Sequence, residues 1–206
     1  MTKTKIDLDK YADAAMYKRF IQEKNPAVCV TGKFDVTNLL RYKKRAGFNA
    51  MMCYCIMQAG QNVKEFHYSI QPDGLYYYDN IKVNSVVIGK DGNAYYPDYR
   101  YCDSFSDFEK IYRYANDFCI NNCQHLQEDT GALISTSAVI GYPFTSFSLA
   151  MSDTFWDNFL MWGKFVKKFR KAYLHVSLRF HHAAIDGRRA ANFFAELQHQ
   201  INIFKM

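Results

Sequence analysis

A mixed β-sheet flanked by helices, an α/β (α+β) architecture, is the fold class this sequence predicts. Three observations carry it. Two turn signals, Pro72-Asp73-Gly74 and Lys90-Asp91-Gly92-Asn93, each stand between strand-like runs. Residues 105–127 form a long helical pattern. Residues 172–180 alternate apolar with other residues, and an apolar helical stripe follows. Hairpins and strand runs mixed with long helices pack as helices on a sheet. The 206 residues contain no repeat, low-complexity segment or Pro/Gly/Ser linker, so residues 1–206 read as one domain.

The elements follow in order. Residues 13–24 read as a helix, with Asp13 as N-cap and Pro26 beyond its end. Residues 28–34 read as a strand. Asp35 to Thr37 can cap a second helix, which Gly47 would stop. Residues 49–63 are apolar and Met-rich and predict a buried helix. The first turn signal joins strands at 68–70 and 75–79, and the second joins 82–88 to 94–101. Ser104 or Ser106 caps the long helix. Strands are expected at 133–139, 145–150 and 160–166. In the run 172–180, Leu174, Val176, Leu178 and Phe180 share one face. The final helix carries Ala190, Phe194, Leu197, Ile201 and Phe204 at steps of four and three, which is one apolar stripe.

Composition narrows the function. Aromatic residues are 17% of the chain, enough to fill a core and still line a small-molecule pocket. The net charge of +6 could suit an anionic partner, but the basic residues are scattered and no nucleic-acid motif is present. No apolar run follows the opening Met-Thr-Lys-Thr-Lys, and none approaches membrane-spanning length. The expectation is therefore a cytoplasmic protein, with no nucleic acid or membrane among its partners. Its six cysteines read as reduced thiols. Cys119 and Cys123 lack the second Cys/His pair that zinc requires, so no metal is expected.

The chemistry-bearing segment is His181-His182-Ala183-Ala184-Ile185-Asp186-Gly187, where the alternating strand meets the last helix. Strand ends opening into a crevice commonly carry sites. A neutral imidazole there can take a proton from a hydroxyl and return it to a leaving thiolate. Asp186 can hold the turn that aims His182, and Gly187 lets the chain enter the helix. The same residues also fit a structural His pair followed by an ordinary turn. A shared metal is poor geometry, because His181 and His182 are neighbours pointing to opposite faces.

The His-His-Ala-x-x-Asp-Gly signature with its apolar helix resembles the chloramphenicol acetyltransferases. More distantly it is similar to other CoA-dependent acyltransferases with a His-x-x-x-Asp-Gly core. Further matches follow in chain order. Asn25-Pro26 through Phe34-Asp35-Val36-Thr37-Asn38-Leu39 resembles the family's approach to its Asp-Val-Thr-x-Leu stretch. Phe144-Thr145-Ser146-Phe147 resembles its Phe-Thr/Asp-Ser-Phe strand, Trp162-Gly163-Lys164 its Trp-Gly-Lys element, and Glu196-Leu197-Gln198 the end of its last helix. The likeness runs from about residue 11 to 204.

This resemblance implies acetyl transfer from acetyl-CoA, a co-substrate and not a permanent cofactor, to a hydroxyl of chloramphenicol by direct attack. His182 would be the general base, Ser146 would stabilise the oxyanion and Asp186 would support the site. Phe20 and Phe105 would line the acceptor pocket, while the CoA-binding residues are not identified. The implied assembly is a homotrimer with active sites between subunits. A Ser-His hydrolase lacks support, because no Gly-x-Ser-x-Gly elbow surrounds Ser146.

The sequence departs from the family at several positions. The family pairs its Asp with an Arg ahead of the first helix, where Asp13 stands here. Arg19 and Arg179 are the candidates to replace it. Arg188 and Arg189 follow Gly187 in place of an apolar residue and a His. They read as solvated residues opening the helix, with CoA phosphates as the alternative partner. A Thr-Val pair of the family falls near Val86-Val87. These changes keep open another small hydroxylated acceptor, or a relative that binds without catalysis.

Overall fold

The computed structural model of the chain describes residues 2–149 and 156–206. Its first half runs β1 (Lys3–Lys5), α1 (Ala14–Phe20), β2 (Ala27–Asp35), α2 (Thr37–Leu40), α3 (Phe48–Gln61), β3 (Tyr68–Gln71), β4 (Gly74–Tyr78) and β5 (Ile81–Asn84). There follow β6 (Val87–Ile88), β7 (Ala94–Tyr95), β8 (Asp98–Tyr99), α4 (Phe105–Asn122), β9 (Ala132–Ala138), β10 (Asn158–Trp162), β11 (Val166–Lys168), β12 (Lys171–His181) and α5 (Gly187–Ile203).

The main sheet has the order β11-β12-β10-β9-β5-β8, with β2 paired to β12. β12 runs antiparallel to β2 from Tyr173 opposite Asp35 to His181 opposite Ala27, and antiparallel to β10. β9 runs parallel to both β10 and β5. The sheet is therefore mixed, and helices pack on it, as the sequence predicts.

The alternation in β12 does what its period requires. Leu174, Val176, Leu178 and Phe180 are all buried and form the floor of the core. α3 lies over them with Met51, Met52, Ile56 and Met57 fully enclosed. α5 completes the layer through Ala190, Leu197 and Ile201. Its deepest ring is Phe193, stacked on Phe66 with centroids 4.1 Å apart, while Phe194 meets Phe34 edge-on at the margin. Each large side chain buried here is worth about 1.5–3 kcal/mol.

Several expected elements differ. The first helix is only Ala14–Phe20, and the Asp13 side chain does not cap it. Gly47 starts α3 instead of ending α2. The long helix stops at Asn122, because Cys123 adopts a left-handed conformation with φ 52°. The strand expected at 145–150 is irregular over 145–149, and residue 150 lies outside the described residues. The strand expected at 160–166 ends at Trp162. Beyond it the Lys164 N–H donates to the Tyr142 carbonyl at 2.9 Å, so the chain there bonds the turn that follows β9.

Candidate active site

β12 ends on His181, and the chain then turns. The N–H groups of Ala184 and Ile185 both donate to the His181 carbonyl, at 3.1 and 3.2 Å. Asp186 closes the turn and starts α5, its Oδ1 accepting from the Arg189 N–H at 2.8 Å. An aspartate suits this N-cap, because it satisfies an orphan donor and faces the positive end of the helix dipole. The Arg189 N–H, then the charges of Arg189 and Arg188, hold its carboxyl below the usual range.

The two histidines have different surroundings. His181 is buried, and its Nδ1 accepts from the Ala183 N–H at 3.1 Å, which puts the proton of the neutral ring on Nε2. Burial, with the nearby charge of His182, pushes its pKa down to about 4. His182 is half-buried. Its backbone N–H donates to the Pro26 carbonyl at 3.0 Å, and its imidazole stacks on Phe20 with centroids 4.1 Å apart and planes 11° from parallel. Its Nδ1 is shut off from solvent, with no hydrogen bond among the described residues.

Beneath the turn sits Arg189, whose side chain is only 8% exposed. Its guanidinium meets Asp13 at 2.5 Å, Glu65 at 3.2 Å and Asp186 at 3.9 Å. This corrects the reading of Arg189 as a solvated residue, while Arg188 is exposed. It also corrects the search for a cation to face Asp186. Arg19 lies over the Phe20 ring, and Arg179 donates to the Asp157 carbonyl at 2.9 Å. The charges expected across this junction are exchanged, with the acid ahead of α1 and the arginine on α5. One sequence signal points to such a role: a cation in the first turn of a helix opposes the dipole, so its presence there asks for a partner.

Ser146 is exposed on the irregular segment 145–149 and makes no hydrogen bond to His182 among the described residues. That segment is fastened to the sheet by the Phe147 N–H, which donates to Ser177 Oγ at 2.9 Å. Ser177 also bonds Thr31 at 2.7 Å. Of the two expected pocket aromatics, Phe20 stands at the site, but against the imidazole. Phe105 does not. It is buried in an aromatic cluster with Tyr54, Phe108 and Phe204, because it opens α4 on that helix's core-facing side.

A cavity of about 460 Å³ opens between β5, β9 and β10, bordered by Asn84, Val86, Leu133, Ser135, Asp157 and Phe159 among others. Asp157 was not anticipated from sequence. Burial raises its carboxyl pKa to about 6, against the opposing charges of Lys82 and Arg179 and with that of Asp98. His182 does not border this cavity.

A family profile described as chloramphenicol acetyltransferase matches residues 1–198. Curated relatives include a chloramphenicol acetyltransferase of Clostridium butyricum, 23% identical over 94% of this chain and 92% of the relative. Another is chloramphenicol acetyltransferase 2 of Escherichia coli, 26% identical over 96% of each. Among solved structures, a chloramphenicol acetyltransferase superposes with a TM-score of 0.82 at 22% identity, covering 97% of this chain and 100% of the other. A probable dihydrolipoamide acetyltransferase from Listeria monocytogenes superposes with a TM-score of 0.71 at 16% identity, covering 98% and 94%.

Proposed function

This chain belongs to the chloramphenicol acetyltransferase family, and from that premise we propose that it moves the acetyl group of acetyl-CoA onto a hydroxyl of chloramphenicol, with His182 as base. The observation that carries the reading is the His182 ring itself. It stands just beyond the end of β12, half-buried and stacked on Phe20, with Nδ1 closed off, so Nε2 is the nitrogen assigned to the acceptor. His181, beside it, is a buried neutral ring already engaged with the turn.

Nε2 of His182 takes the proton as the acceptor oxygen attacks the thioester carbonyl. A C–O bond forms and the carbonyl oxygen becomes an oxyanion. The Ser146 hydroxyl donates to that oxygen, an interaction worth a few kcal/mol when pre-aimed. The C–S bond then breaks, and the imidazolium returns the proton to the CoA sulfur. No acyl-enzyme is needed. Asp186 holds the turn that aims the ring. Acetyl-CoA enters and leaves as a substrate.

The site is completed in a homotrimer, between subunits. Two features support this. Ser146 and His182 make no hydrogen bond within one chain among the described residues. The segment leading to Ser146 also exposes Ile140 and Tyr142 at 66% and 64%, large apolar groups suited to burial against a neighbour. A cytoplasmic location fits this substrate, and no described helix is long and apolar enough to cross a membrane.

A second reading keeps the chemistry and changes the acceptor to another small hydroxylated molecule. The Asp157 carboxyl on the wall of the 460 Å³ cavity favours it, because a polar acceptor could bond there. Thiol release from acetyl-CoA, with and without chloramphenicol, tests both. Chloramphenicol-dependent release in the wild type, lost in His182→Ala, is the expected result. Release only with other hydroxylated compounds would favour the second reading, and release unchanged in His182→Ala would overturn the role of His182.

A further inference from the structure

We propose that Arg189 is a positioning residue of this site: it ties α1, which carries Phe20, to the turn that carries His182, and so sets the stacked pair. The inference rests on His182 being the base. The three carboxylates around Arg189 come from three separate segments. Asp13 precedes α1, Glu65 lies in the single turn of 3-10 helix at Lys64–His67, and Asp186 follows His182. The Nη1 group also approaches Met16 Sδ, on α1, at 3.8 Å. One guanidinium thus holds both halves of the His182–Phe20 stack.

The arrangement would not persist without such compensation. Desolvation and the helix dipole both work against a buried cation in the first turn of α5. Three carboxylates drawn together would repel one another without it. The planar fork of arginine can reach several partners at once, which a lysine ammonium at the same place cannot match. Take Arg189 away, and α1 loses its tie to the turn while its acids push apart. Phe20 closes α1, so any swing of that helix moves the ring beneath the imidazole. A misplacement of about 1 Å at a reacting group can cost about 100-fold in rate.

The test compares Arg189→Ala, Arg189→Lys, and the double variant R189A/D13R, which moves the guanidinium to the far end of the Asp13 contact. Two signals are read: kcat with KM for acetyl-CoA, and the ring-current shift that Phe20 imposes on the His182 ring protons by NMR. The second needs no acceptor, so it reads the tie even if no acceptor is turned over. The expected result is a kcat lowered about 100-fold with little change in KM, loss of the ring-current shift, an intermediate Arg189→Lys, and recovery of both signals in R189A/D13R. Unchanged kcat per folded molecule and an unchanged ring-current shift, with only a lower melting temperature, would overturn the proposal. If Arg189→Ala does not fold, D13N/E65Q keeps Arg189 and removes two of its anchors. Loss of the ring-current shift there supports the tie, and its retention overturns it.

Discussion

Gly163 and Tyr142 approach so closely that no side chain fits between them: a Cβ on Gly163 would lie 2.6 Å from the Tyr142 carbonyl oxygen and 3.0 Å from the Phe144 nitrogen. Both neighbours are backbone, and they lead directly into the segment that carries Ser146. Gly163→Ala should therefore destabilise by about 1–3 kcal/mol. It should also lower turnover by more than the lost folded fraction accounts for. Thermal denaturation measured beside kcat separates the two effects, and a kcat that simply follows folding would mean the segment does not aim Ser146.

Ser146→Ala isolates the hydroxyl. Ser146 is exposed, so its loss should leave the melting temperature within about 1 °C. Turnover should fall by about 100- to 1,000-fold if the hydroxyl meets the oxyanion. Steady-state kinetics decide, and an unchanged kcat removes Ser146 from that role.

The Phe20 ring stacks on His182, so its shape should matter more than its polarity. Phe20→Tyr should keep most activity. Phe20→Ala should lower kcat about tenfold by freeing the imidazole, and lose only about 1 kcal/mol of stability, the worth of one aromatic pair. Equal kcat in both variants would show that the stacked ring does not orient His182.

Two groups, the buried His181 and the half-buried Asp157, pull stability in opposite directions over one pH window. Asp157 titrates near 3.8 unfolded and about 6 folded, so the folded state binds that proton more tightly and stability falls as pH rises between the two. His181 titrates near 6.5 unfolded and about 4 folded, so stability rises with pH across almost the same range. Asp157→Asn should melt higher than wild type near neutral pH, converge with it as pH falls to the unfolded value of 3.8, and show a steeper loss on acidification. Calorimetry across the window checks this. Parallel wild-type and variant curves would mean that Asp157 is not held protonated by burial.

The readability of the sequence followed the regularity of its patterns. β12 and α5 were legible because their periods are unbroken and both are packed against one core. The turn between them was legible because Asp186 and Gly187 are strong local signals. Ser146 was expected on a strand because its neighbours have strand-like composition, but composition without alternation did not predict the backbone that Gly163 and Tyr142 impose. Phe105 and Phe20 look alike in sequence, and only packing separates a core ring from one beneath an imidazole. The ion pairs of Arg189 are not legible in the sequence, because Asp13 and Glu65 lie far away along the chain and a charge at a helix start looks solvated until those partners are known.

The pairing of β2 with β12 also has a consequence for how the protein is made. Thr31 and Ser177, hydrogen-bonded across these strands, are 146 residues apart. At ribosomal speeds, roughly 7–30 s must pass between the synthesis of one and the other. Through that interval the early strand has no partner on the edge that β12 will fill, and the turn that carries His182 does not yet exist. Products of interrupted synthesis therefore carry an open, aggregation-prone edge and no working site, so the cell gains activity only from chains finished nearly to their last helix.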